Sequence, residues 1–109
     1  MNFKPRGIVP AMVTPLDKDG KINKVALRKL TNYLIDGGVH GLFSVGSTGE
    51  WYGLDINQKK ETIETVVEEA NSRVPVYAGT GAITTREAIR LTKMAKDIGA
   101  DACSVLTPV

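Results

Sequence analysis

The sequence predicts an α/β fold of parallel strands joined by helices, and three observations predict it. Four short apolar segments alternate with three amphipathic helical patterns. The segments recur at roughly 30-residue intervals, the length of one βα unit. No two of them are linked by the turn signals of a hairpin. Strands that need a helix between them must run parallel, joined by right-handed crossovers. An open doubly wound sheet and a (β/α)8 TIM barrel both satisfy that alternation. The strand ends favour the barrel: each closes in small or hydroxyl residues, which a ring of active-site loops needs at every strand, whereas an open sheet needs them only near its switch point. Residues 1–109 are therefore expected to be the N-terminal part of a single TIM-barrel domain, about its first four strands and three helices.

The first strand is predicted over residues 8–13, closed by Thr14-Pro15. After the polar turn Asp17-Lys18-Asp19-Gly20, Asn23 is a candidate N-cap. Leu27, Leu30 and Leu34 then repeat at helical spacing until Gly37-Gly38. The second strand, residues 41–45, runs into Gly46-Ser47-Thr48-Gly49. Asp55 and Gln58 form a capping-box pair that opens a second helix, with Ile63, Val66, Val67 and Ala70 on one face. Pro75 leads into the third strand, residues 76–78, which ends in Gly79-Thr80-Gly81. Thr84 and Glu87 form another such pair, and the following helix buries Ala88, Leu91, Ala95 and Ile98 before Gly99. The fourth strand spans residues 102–106 and closes in Thr107-Pro108.

Composition narrows the function classes. A formal net charge of +2, with acidic and basic residues interspersed, gives no basic stripe for nucleic acid and no patch for a membrane surface. No apolar run approaches the roughly 18 residues of a membrane span, and residues 1–6 lack a signal-peptide pattern. The single cysteine, Cys103, forms no internal disulfide and fits a reducing cytosol, so a cytoplasmic location is expected.

Gly46-Ser47-Thr48-Gly49-Glu50 is the sharpest chemical feature. Two glycines let the backbone turn tightly and expose N–H groups, and two adjacent hydroxyls add donors. The combination suits a small carboxylate or phosphate. Glu50 would repel such a ligand, so it is expected to point away and accept backbone hydrogen bonds. Gly79-Thr80-Gly81-Ala82-Ile83-Thr84 imitates a dinucleotide fingerprint with Asp101 downstream, but Thr84 replaces the third glycine and the motif follows the third strand. His40 has no second ligand at metal spacing and reads as a surface or turn histidine. Cys103 reads as a small core residue, and Lys93 and Lys96 as complements to their helix dipole. Trp51 and Tyr52 fit a pocket wall, a subunit contact or the barrel rim equally well.

Three stretches together, Gly7-Ile8-Val9-Pro10-Ala11-Met12-Val13-Thr14-Pro15, Gly46-Ser47-Thr48-Gly49-Glu50 and Val76-Tyr77-Ala78-Gly79-Thr80-Gly81, resemble the dihydrodipicolinate synthase and N-acetylneuraminate lyase family. The resemblance implies a homo-oligomeric TIM-barrel enzyme, a tetramer or dimer, that binds pyruvate as an imine on a lysine of the sixth strand and joins it to, or releases it from, an aldehyde. It implies no separate cofactor and no metal. It makes Ser47 the proton-relay hydroxyl, the catalytic residue of this chain, Thr48 the holder of the pyruvate carboxylate, and Ala11 a small residue beside the substrate. The lysine and a relay tyrosine of the fifth strand would lie beyond Val109, so residues 1–109 alone are expected to be inactive.

Departures from the family pattern refine these expectations. Synthases usually carry two tyrosines after the fourth-strand Thr-Pro; Val109 stands in place of the first. Ser47 replaces the threonine usual in synthases, as in N-acetylneuraminate lyases and keto-sugar-acid aldolases such as those acting on 2-keto-3-deoxygluconate. Positions that bind lysine in lysine-inhibited members are here Ile56, Lys59 and Ile83, with only Glu87 retained, which predicts an enzyme insensitive to lysine. A 4-hydroxy-tetrahydrodipicolinate synthase is the leading expectation, the lyase and keto-gluconate aldolase the alternatives. A reading of another class is a non-catalytic half-barrel module, whose inner residues Val45 and Val105 would drive self-association.

Overall fold

A computed structural model of the chain describes residues 3–106; Thr107, Pro108 and Val109, including the Thr107-Pro108 that closes the fourth predicted strand, lie outside them. The elements run α1 (Lys24–Asp36), β1 (Leu42–Ser44), a single 3-10 turn (Trp51–Gly53), α2 (Ile56–Ala70), β2 (Val76–Gly79), α3 (Thr85–Ile98) and β3 (Ala102–Ser104).

The three strands are parallel and adjacent in chain order, with Leu42 opposite Val76 and Ala78 opposite Cys103. Right-handed crossovers between successive neighbours place every helix on one side of the sheet. There is no point in the described sheet where the strand order reverses, and that is the barrel arrangement rather than the doubly wound one. No helix of the described chain is long and apolar enough to cross a membrane.

The first predicted strand is present as a line of bonds without forming a regular strand. Met12 N–H donates to the Phe43 carbonyl at 2.8 Å and Phe43 N–H to that of Pro10 at 3.0 Å, which makes Ala11 a parallel bridge partner of Phe43. Pro10 has no N–H for the next rung. Farther back, Ile8 accepts from His40 N–H at 2.8 Å and donates its own N–H to His40 Nδ1 at 2.9 Å. His40 is thus half-buried and structural, more engaged than a plain surface residue.

The helix starts follow local chemistry. Asn23 Oδ1 accepts from Ala26 N–H at 3.0 Å. The Asp55–Gln58 box closes in both directions, at 2.8 and 3.1 Å. The Thr84–Glu87 pair closes only one way: Thr84 Oγ1 accepts from Glu87 N–H at 3.1 Å without a return bond from the glutamate. The core lies between sheet and helices, where Leu42, Val76 and Ala78 cluster with Leu27, Ile63, Val66 and Ala95; Leu91 is buried as well. Val67, Ala88 and Ile98 are only partly covered. Helices α1 and α2 are joined by a polar network. Arg28 pairs with Glu69 at 3.0 Å and Glu68 at 3.2 Å, and Asn32 Nδ2 donates to Glu69 at 2.7 Å.

Two expectations are corrected. Cys103 is exposed rather than in the core. It shares a face with Ala78, but β3 is the last described strand, and α3 packs beside it while leaving Cys103 uncovered. Val45 and Val105 do not form an apolar inner surface together: Val45 is 1% exposed and Val105 57%. Lys96 does occupy the last turn of α3, where its charge suits the helix end.

Candidate functional site

A cavity of about 160 Å³ opens at the C-terminal ends of the strands, on the face away from the helices. The bridge residue Ala11 and its partner Phe43 form one side, Gly79, Gly81, Ser104 and Leu106 the other, and Val45, Gly46, Ser47, Thr48 and Trp51 the mouth. The structure therefore brings Ala11, Ser47 and Thr48 together around one space, as the sequence motifs suggested. No lysine lines it.

The mouth is built by a turn that β1 cannot continue through. Val45 has φ 63°, a left-handed conformation that costs a β-branched residue energy and marks a constrained site. Its carbonyl lies flat on Gly79, where a Cβ would overlap the Val45 oxygen. Glu50 N–H donates to the Ser47 carbonyl at 3.0 Å and Trp51 N–H to that of Gly46 at 3.3 Å, closing the turn. Thr14 Oγ1 donates to the Gly49 carbonyl at 2.7 Å.

That bonding leaves the middle of the turn open. Among the described residues, the N–H groups and hydroxyls of Ser47 and Thr48 have no protein partner, and both residues are exposed to the cavity mouth. Several neutral donors converging on one small space suit an anionic oxygen pair such as a carboxylate. Glu50 does point outward to solvent, but it makes no capping bond; the expected backbone hydrogen bonds to its carboxylate are not formed. It too is left-handed, at φ 61°.

Two other strand-end hydroxyls turn away from the cavity. Thr14 is buried under the turn, and Thr80 is fully buried, accepting from Thr92 Oγ1 at 2.9 Å. The dinucleotide-like segment has no acidic partner, because Asp101 sits at the opposite end of β2, accepting from Val76 N–H at 2.9 Å. Trp51 proves to be a pocket wall. It separates the cavity from an outer groove of about 350 Å³ lined by Tyr52, Leu54, Lys59, Ile83 and Glu87. Phe43, Ser104 and Leu106 were missed from sequence. Period-two alternation along each strand, applied to the face opposite the core, could have found the first two.

Comparisons with known proteins converge on one family. The Dihydrodipicolinate synthetase family matches residues 4–109. The chain is 44% identical over 103 residues to the 4-hydroxy-tetrahydrodipicolinate synthase of Cellvibrio japonicus, covering 94% of this chain and 36% of that protein. It is 47% identical to the enzyme of the same name from Methylococcus capsulatus, covering 94% and 35%. Among solved structures, the chloride-inhibited dihydrodipicolinate synthase from Acinetobacter baumannii, complexed with pyruvate, superposes with a TM-score of 0.91 at 45% identity, again covering 94% and 35%. The chain thus spans about a third of the length of the relatives it matches.

Proposed function

Because the chain belongs to the dihydrodipicolinate synthetase family, we propose that the protein carrying it is a pyruvate-dependent carbon–carbon lyase of the 4-hydroxy-tetrahydrodipicolinate synthase type. The observation that carries this is the pair of unpartnered hydroxyls, Ser47 and Thr48, at a small cavity shared with Ala11.

In this reading Thr48 holds the pyruvate carboxylate with its N–H and hydroxyl, and Ala11 leaves room beside the keto group. Neutral donors fix the orientation of the acid while remaining able to follow charge that develops during reaction. A lysine outside residues 1–109 adds to the keto carbon with loss of water. The resulting imine acidifies the pyruvate methyl, whose proton leaves before that carbon attacks an aldehyde. Ser47 passes protons at this step through its hydroxyl, and the walls of Phe43 and Trp51 limit access of water. No separate cofactor is called for. A cytosolic homo-oligomer belongs to the same reading.

Ser47 itself favours a second assignment, an N-acetylneuraminate lyase or 2-keto-3-deoxygluconate aldolase, since those relatives carry serine there. The exposed Cys103 on β3 and the exposed Val105 just after it favour a non-catalytic half-barrel that self-associates. Pyruvate trapping separates the classes. The full-length protein and residues 1–109 are each incubated with pyruvate and borohydride, and both are weighed by mass spectrometry. A covalent adduct on the former and not on the latter is expected. An adduct on neither would leave Ser47 and Thr48 as a carboxylate site without a nucleophile.

A further inference from the structure

The cavity turn is gripped at both ends by residues of the neighbouring strands, and one grip comes from a side chain that does not line the cavity. Thr14 is 5% exposed, sits under the turn, and donates from Oγ1 to the Gly49 carbonyl at 2.7 Å. Gly49 is pressed into the same place: a Cβ there would lie 3.0 Å from the Met12 carbonyl oxygen, 3.1 Å from Thr14 Oγ1 and 3.2 Å from Val45 N. At the other end Val45 is held left-handed, with its carbonyl against Gly79. Ser47 and Thr48 are suspended between these anchors, with no bond of their own from side chain to protein among the described residues.

We propose that Thr14 is a positioning residue for keto-acid binding. Its hydroxyl fixes Gly49, and through Gly49 it sets the direction in which the Ser47 and Thr48 donors point into the cavity. This rests on the pyruvate reading above. The strain at Val45 makes the clamp necessary: a left-handed valine relaxes toward extended backbone unless the segment after it is tied down. A Thr14→Val substitution keeps the volume and removes only the donor. It leaves a buried carbonyl unpaired, which the turn can cure only by moving toward solvent. A displacement of an ångström at donors that must converge on a carboxylate weakens binding by far more than it disturbs the barrel.

The test is the pyruvate concentration that gives half-maximal borohydride trapping in the full-length protein, a readout independent of the aldehyde partner. Thr14→Val is expected to raise it about tenfold, equivalent to about 1.4 kcal/mol, while the adduct at saturating pyruvate stays at the wild-type level. Thr14→Ser, which keeps the hydroxyl, is expected to remain within about twofold of wild type. Half-saturation of Thr14→Val at the wild-type concentration would overturn the proposal and leave the pyruvate reading intact. Equal losses in Thr14→Val and Thr14→Ser, accompanied by a lowered Tm in both, would overturn it by making Thr14 a packing residue. Failure of the wild type itself to trap pyruvate would remove both the reading and the proposal.

Discussion

The Lys59 ammonium lies over the Trp51 ring, 5.4 Å from its centre. Lys59 is 8% exposed and its ammonium forms no ion pair or hydrogen bond with the described residues; the indole face compensates it in part. Burial pushes its pKa down, against the opposing pull of Glu87 and Asp55. A fixed positive charge thus occupies the groove on the far side of Trp51 from the cavity. A free lysine entering that groove would meet a like charge, and millimolar lysine is expected to leave the rate of the proposed reaction in the full-length protein unchanged. A lysine-dependent fall in rate would sink this.

The same burial has a pH signature. The folded-state pKa of Lys59 lies below its unfolded value, so its cost to stability is present at neutral pH, begins to fall as pH rises past that lowered pKa, and is gone above the unfolded value, about 10.4. Lys59→Met is expected to match or exceed the wild-type Tm at pH 7, with the difference moving in favour of wild type toward alkaline pH. Thermal melts across that range check it.

Acid should loosen the other side of the helical layer. Hydrogen bonds from Asn32 and Arg28 hold the Glu69 carboxyl below its ordinary pKa. The stability it contributes is therefore present above the unfolded value, about 4.3, and is lost as pH falls through the lower folded one. Glu69→Gln should flatten the acid limb of a Tm-against-pH curve between α1 and α2. An unchanged limb would show the network to be idle.

The two helix caps are predicted to differ in strength. Asp55→Ala removes a charged acceptor at the helix N-terminus and leaves only the Gln58 half of a closed box, and is expected to cost about 1–2 kcal/mol; Thr84→Ala removes a neutral acceptor that has no return bond from Glu87 and is expected to cost about 0.5–1 kcal/mol. Urea denaturation of both variants would measure the order, and a reversed order would contradict the one-way geometry at Glu87.

Cys103 distinguishes the short chain from the whole protein. It is exposed on β3, where α3 packs beside the strand but leaves the thiol uncovered. A thiol reagent is expected to label it rapidly in residues 1–109 and slowly in the full-length protein, where a following helix would pack there. Equal rates would mean that β3 remains an edge.

Much of the fold was legible because periodicity and capping are local. Leu27, Ile63, Leu91 and the caps at Asn23, Asp55 and Thr84 are determined by neighbours within a turn or two of chain. The hydroxyls Ser47 and Thr48 and the small Ala11 were legible as motif residues, each at the end of a predicted strand. What escaped depends on neighbours far along the chain. Cys103 looks like core from its apolar flanks, and only the missing cover makes it surface. Thr14 looks like a loop hydroxyl, and only the approach of Gly49, 35 residues later, turns it inward. Phe43 was counted as part of an apolar run because its face was not assigned. Val45 reads as an ordinary strand valine, and nothing local announces its left-handed backbone.

The imidazole of His40 has a bearing on how much space the cavity at the strand ends contains. A parallel segment can slide by two residues without turning any side chain to the wrong face, so facing alone does not fix where the start of the chain lies. Two chemical facts do. Sliding one way would place Pro10, which has no N–H, where Met12 now donates to Phe43; sliding either way would take Ile8 from its bond with Nδ1. The alternative alignments would put Val9 or Val13 opposite Phe43 in place of Ala11, and extra methyl groups would enter a cavity of only about 160 Å³. A histidine at the closed end of the strands thus acts as a stop that preserves vacant volume at the open end.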